Sequence, residues 1–228
     1  MTSIDSEIVA KCRLLGALTP EVRDCLLSRA RRRNMARGEL LGLQGEPAGT
    51  LKIVASGWVK LYRVSEDGHE AVVNTLGKGE SFDEVPALLG GVSANSAEAV
   101  TNVELLLLNL NDICSCTNAR AEISAAVLSA AQAHVESMTA QIEALKVKTA
   151  TQRLGEFFLK LSDEAGESRN IALPFGKVVL AGMLGMKPES LSRAFGRLKD
   201  AGVRSAMREI EIDDIALLRD WTGAQGAR

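Results

Sequence analysis

Three polar residues near the C-terminal end stand at helical spacing: Glu189, Ser192 and Arg193 in "PESLSRAFGRLKDAG". At i, i+3 and i+4 they share one face of a helix, close to a start marked by Pro188. Their donors and acceptors match base edges in a duplex groove. A guanidinium grips guanine O6 and N7 together, a carboxylate accepts from cytosine N4, and a hydroxyl meets either kind. Lys187 just before this helix, and Arg197 and Lys199 towards its end, suit phosphate contact instead. From Gly176 to Arg208 there are seven Lys or Arg against two acids, Glu189 and Asp200, in a chain of net charge −2. That local excess points to an anionic partner. A glutamate in its midst adds nothing to affinity for phosphate, but it suits a site that tells one base from another. The local alternative is a helix start that favours Glu189 and pairs it with Arg193 four residues on.

These side chains need a rigid carrier, and "KVVLAGMLGMKPESLSRAFGRL" has the layout of a helix-turn-helix. Leu180 and Leu184 face inward on the first helix, and the small Ala181 lets the second approach. Gly185 ends the first helix in a left-handed conformation at little steric cost. Leu191, Ala194, Phe195 and Leu198 form the buried stripe of the second. Before it, "TQRLGEFFLKLS" reads as a helix and "ESRNIALPFG" as an extended crossing. After it, "VRSAMREIEIDDIALLRDW" reads as short strands about a turn, then a closing helix.

Upstream, residues 121–149 lack Gly and Pro. Leu128, Val135, Ile142 and Thr149 recur every seven residues, with Ala131, Met138 and Leu145 three after each of the first three. This a/d pattern predicts the seam of a two-stranded coiled coil and hence a homodimer; the alternative is one amphipathic helix lying on its own domain. Residues 5–30 are helical in spacing. From Arg37 the chain turns to short β-rich runs with frequent glycines, among them "LKIVASG", "WVKLYRV" and "AVVNTL". The Asp67-Gly68 turn and a further strand pair in "ANSAEAVTNVELLLLNL" complete the pattern of an all-β roll. The expected architecture is α+β: a jelly-roll-like β-roll over 1–118, a dimerisation helix over 119–150, and a winged helix-turn-helix over 151–228.

Composition fits a folded soluble protein, with 46% hydrophobic and 25% charged residues. No apolar run is long enough for a membrane span, and the N-terminus lacks the basic-then-apolar order of a signal peptide. The expected compartment is the cytoplasm, where Cys12, Cys25, Cys114 and Cys116 would be reduced thiols. No P-loop, HExxH, G-x-S-x-G or GxGxxG pattern is present, so the chain is not expected to be an enzyme.

The motifs "RGELLGLQGEPA", "SGWVKLYRVSEDGHE", "LGKGESFDE" and "PESLSRAFGRLKDAG", in this order, resemble the Crp/Fnr superfamily of bacterial regulators, over nearly the whole chain. That superfamily includes the cyclic-AMP receptor protein and the fumarate-nitrate reduction regulator. The resemblance implies a homodimeric transcription regulator on double-stranded DNA, with RNA polymerase as a further partner and a signal received in the β-roll. The order Glu189, Ser192, Arg193 looks like the recognition helix of the fumarate-nitrate type, which implies a half-site close to TTGAT and its inverse about one helical turn away. The runs "LAGMLGMKPESLSRAFGRLKDAG" and "QIEALKVKTATQR" look most like the dissimilatory nitrate respiration regulators.

For the signal, the resemblance offers three readings. Members that bind cyclic AMP use a glutamate for the ribose and an Arg-Ser pair for the phosphate. Here Glu84 is present, but Ala94 and Asn95 stand where Arg-Ser would be, and Met138 and Thr139 where Thr-Ser would meet adenine. A phosphate buried without its cation is costly, so cyclic AMP is not expected. An iron–sulfur cluster needs four cysteine ligands, three of them close together near the N-terminus in such members; Cys12 and Cys25 do not supply them, and a cluster is not expected. Haem, as in a nitric-oxide-responsive regulator, is the third. Of the two histidines, His69 is expected in a hairpin turn, whereas His134 flanks the heptad seam towards the β-roll and is the candidate ligand. The alternatives to the main reading are a cyclic-nucleotide-responsive regulator and a dimeric ligand-binding module that reads no DNA sequence.

Overall fold

The computed structural model describes residues 3–68, 70–110, 118–206 and 208–224, in two compact units, 1–137 and 138–228. The first opens with helices α1 (Ser3–Lys11), α2 (Arg13–Gly16) and α3 (Pro20–Ser28); Pro20 at the first turn of α3 needs no amide partner there. Strands β1 (Arg31–Met35), β2 (Leu40–Gly42), β3 (Leu51–Ser56), β4 (Val59–Val64), β5 (Glu70–Leu76) and β6 (Ser81–Phe82) follow. Then come the short helix α4 (Glu84–Leu89), β7 (Ser96–Ala99) and β8 (Val103–Leu108).

They form two four-stranded antiparallel sheets, ordered β1-β8-β3-β6 and β2-β7-β4-β5. The expected pair β7 and β8 is thus divided: each strand joins a different sheet. Between the sheets pack Met35, Val54 and Leu105 from one and Val59, Leu76 and Ala97 from the other. On β3 and β8 the intervening residues are apolar too. Leu51, Ile53, Leu106 and Leu108 face the opposite way, onto Ile8, Leu14 and Leu15 of the N-terminal helices. A strand covered on both faces reads as an unbroken apolar run, which is why β8 ends in four leucines, Leu105 to Leu108. At the β3–β4 turn Gly57 has φ +82°, and a Cβ there would collide with the Asn102 carbonyl.

The long helix α5 (Ala119–Val147) serves two faces. Ile123, Ala126, Val127 and Ala130 complete the core beneath the first sheet. Leu128, Val135, Met138, Ile142 and Leu145 are exposed to between 48% and 70%. The helix therefore packs on its own domain along one side, and on another side the apolar heptad row stands open. The heptad series stops early, however: Thr149 lies beyond α5 and caps α6 (Ala150–Glu164) in a reciprocal capping box with Gln152.

In the second unit α6 is followed by β9 (Asn170–Ala172), α7 (Lys177–Met183), α8 (Pro188–Leu198), β10 (Val203–Ala206), β11 (Glu209–Ile212) and α9 (Ile215–Ala224). The three strands form one antiparallel sheet, β10-β11-β9. Phe158 of α6 meets Phe195 of α8 with ring centroids 5.7 Å apart, and Leu218 of α9 is fully buried. Gly155 lets α6 and α9 close, since a Cβ there would run into the Thr222 side chain. The expected reduced state does not hold at Cys25, which is disulfide-bonded, a pairing that depends on which thiols the fold brings within reach. Cys12 is free and buried, and Cys114 and Cys116 fall outside the described residues.

Candidate nucleic-acid interface and sensory site

The pair α7–α8 has the expected stripe. Leu191, Ala194, Phe195 and Leu198 are buried, as are Leu180 and Ala181 on α7, while Leu184 is only half-buried. Gly185 turns the corner with φ +60°, and the place of its missing Cβ is taken by the Leu145 side chain. Lys187, Glu189, Ser192, Arg193, Arg197 and Lys199 are all exposed, so every residue expected to touch DNA stands on the open side of α8 or at its ends. Arg193 does not pair with Glu189: its Nη2 donates to Ser190 Oγ at 3.1 Å. The Ser192 hydroxyl donates to the Pro188 carbonyl at 3.0 Å, which parks it along the helix without removing its acceptor lone pairs. The open face therefore presents one carboxylate and one guanidinium that are not neutralising each other. β10 and β11 form the wing hairpin beside it, with Arg204 of β10 paired to Asp213; Met207 lies outside the described residues.

Arg153, in the first turn of α6, went unnoticed in the sequence. Its guanidinium donates from Nε to the Leu184 carbonyl at 2.9 Å and from Nη1 to the Lys148 carbonyl at 2.7 Å. Those oxygens sit at the C-terminal ends of α7 and α5, where helix carbonyls have no intrahelical partner.

In the first unit Glu84 is the one buried carboxylate among the described residues, 6% exposed at the start of α4. It accepts from Ser81 Oγ at 2.6 Å and meets His134 Nε2 at 3.0 Å. Burial would raise the Glu84 pKa, but His134 and Ser81 together hold it below the usual carboxylate value. The hydrogen bond to Glu84 raises His134 against its own partial burial, and the charge of Glu80 adds to it. His134 lies four residues past Ala130 and seven past Val127, so it faces the roll as expected. Next door Lys52 pairs with Asp83 at 2.6 Å, and Ser93 donates to the same carboxylate at 3.0 Å. Asp83 adopts φ +63°, a left-handed conformation that Asp tolerates better than most residues. Ala94 is exposed and Asn95 half-buried; Met138 and Thr139 are exposed on α5, in the second unit. His69 lies outside the described residues. Among those described, no cluster of three His, Cys, Asp or Glu could hold a metal, and no helix is long and apolar enough to cross a membrane.

The Glu84–His134 pair has a sign that a titration reads. His134 gains its partner on folding, so its stabilisation is complete below about pH 6.5 and fades as pH rises through the raised folded value. With the His134 side chain 37% exposed, solvent screens part of it. Thermal unfolding of the wild type is expected to lose a few degrees from pH 6 to 8.5 relative to His134→Gln; parallel curves would contradict this assignment.

Comparison with known proteins agrees with this layout. Residues 32–120 match the cyclic nucleotide-binding domain family, and residues 152–221 match the Crp-like helix-turn-helix domain. A solved structure of a regulatory protein from Silicibacter pomeroyi is 42% identical with a TM-score of 0.72, covering 97% of this chain and 99% of its own. The cyclic AMP receptor protein of Thermus thermophilus is 28% identical over 208 residues, 91% of this chain and 95% of the relative. The transcriptional activator protein anr of Pseudomonas aeruginosa is 26% identical over 223 residues, 92% and 88% of the two chains.

Proposed function

The chain belongs to the Crp/Fnr family of transcription regulators, and from that premise we propose that it works as a homodimer reading a TTGAT-like palindrome, under a signal received in the β-roll. The observation that carries this reading is the open face of α8, where Glu189 and Arg193 stand exposed and unneutralised by each other. A helix that only bound phosphate would gain nothing from Glu189, whereas base discrimination uses both signs. Homodimerisation is supported by the exposed apolar row from Leu128 to Leu145, which repeats at coiled-coil spacing. It is a regulator and not an enzyme. RNA polymerase is the further partner that the family implies, and the cytoplasm is the compartment that suits both. The direct test is binding to a TTGAT-N4-ATCAA duplex beside a scrambled one, at about 150 mM salt. Preference for the palindrome supports the reading; equal affinity for both refutes it.

The match to a cyclic nucleotide-binding domain and the name of the Thermus relative favour a second reading, cyclic AMP as the signal. The residues argue against it. Glu84, the carboxylate a ribose would need, already serves His134 and Ser81. Lys52 is committed to Asp83, and no arginine stands at Ala94 to meet a phosphate. We expect cyclic AMP to leave thermal unfolding unmoved. A ligand at a hundred times its Kd would add about 2.7 kcal/mol, so a shift of several degrees at millimolar nucleotide would overturn this. Haem on His134 would use Nδ1, because Nε2 meets Glu84, the usual outer partner of a metal-bound imidazole.

A further inference from the structure

The two reading helices of a dimer must match the spacing of two half-sites as well as their bases. One added base pair turns a half-site by about 35° and moves it by about 3.4 Å. Whatever fixes α8 against the dimer helix therefore decides which spacing is accepted. Within the second unit two contacts join the end of α5 to the turn before α8. The first is the Arg153 guanidinium, which bridges the Lys148 carbonyl just past α5 and the Leu184 carbonyl at the end of α7. The second is Leu145 of α5, whose side chain occupies the space that a Cβ on Gly185 would need.

A guanidinium is planar, and its donors are fixed relative to one another. Bound to two helix ends at once, it sets the angle between them as well as their distance. It also places its charge where the carbonyl ends of both helix dipoles favour a cation. A lysine, a single charge on a flexible stem, could reach one oxygen or the other without fixing that angle.

We propose that Arg153 is a positioning residue that sets half-site spacing: it brackets the end of the dimer helix to the turn of the helix-turn-helix, so that the two copies of α8 engage only half-sites at the matching separation. This rests on the dimeric, DNA-reading function proposed above. Arg153 touches no base in this scheme, so its removal changes the geometry of double engagement and leaves the reading of a single half-site intact.

The test uses the full-length protein and four duplexes: TTGAT-N4-ATCAA, its N3 and N5 spacing variants, and an isolated half-site. Circular dichroism and sedimentation establish that each variant is folded and dimeric. The wild type is expected to favour N4 over N3 and N5 by on the order of 100-fold, the gain from simultaneous engagement of two sites. Arg153→Ala should cut that ratio to about tenfold or less while half-site affinity stays within about twofold. Arg153→Lys should behave like the alanine variant although it keeps the charge, and it covers the case where alanine does not fold. Equal loss on all four duplexes would mark a merely structural role and overturn the proposal, as would a lysine variant with the full wild-type ratio. A wild type indifferent between the N4 palindrome and a scrambled duplex would instead refute the function on which the proposal rests.

Discussion

Replacing Arg193 with alanine is expected to cost about 1–3 kcal/mol at each half-site, the measure of a good bidentate grip on guanine. Over two distant, independent half-sites the costs add to about 2–6 kcal/mol. The loss should be confined to sequences that carry the guanine, so the variant binds more weakly and discriminates less at that position. In the free protein Arg193 is held only by a 3.1 Å contact to Ser190 at an exposed site, a bond easily exchanged for one to a base. Arg197→Ala supplies the contrast. It should weaken all sequences alike and shallow the salt dependence by about one counterion per half-site. Anisotropy titrations on duplexes substituted one base pair at a time decide the matter. A uniform loss for Arg193→Ala, or a base-specific one for Arg197→Ala, would reverse the two roles.

Ile142→Glu should have a comparable consequence for binding, by a different route. Ile142 lies in the middle of the lower half of the apolar row and is 52% exposed, so a glutamate there harms little in a single chain. In a two-stranded seam it would face its own copy, which joins like-charge repulsion to the cost of burying a carboxylate. Sedimentation should show a monomer. Palindrome affinity should fall by on the order of 100-fold or more towards that of one half-site, because the second contact is no longer tethered. Far-UV circular dichroism should change little. A variant that stays dimeric would mean that this row is not the dimer seam.

The helix-turn-helix was readable because its signals are local: the apolar stripe, Gly185 at the corner, Pro188 at the next start. The β-roll was readable as a class, though not in its pairing. β1 is "RRRNM", exposed at four of its five residues; a charged edge strand carries no alternation, and only Met35 reaches the core. The run containing β7 and β8 looks like a hairpin, yet the strands part to opposite sheets, a decision made by long-range packing. Thr149 kept the heptad count and left the helix, since a capping hydroxyl is worth more at the start of α6 than at a seam. Glu84 and His134 are 50 residues apart and were each noticed for a different reason; only the fold joins them. Arg153 offers no motif at all, because its partners are two backbone oxygens.

The two-sided burial of β3 and β8 has a consequence for how the chain is made. Their outer face is covered by the N-terminal helices and closed off by Ile123, Ala126, Val127 and Ala130, which follow both sheets in order of synthesis. Until residues through Ala130 have left the ribosome, "VELLLL" has only the N-terminal helices over that face, and is a partly covered β-prone run of the kind that seeds aggregation. A fragment cut at 118, after the last strand of the roll, keeps the N-terminal helices but leaves the α5 part of that face bare permanently. One that extends through the first half of α5 carries its own lid, so the smallest soluble piece of the sensory unit is defined by a helix that looks, from its heptads, as if it belonged to the dimer alone.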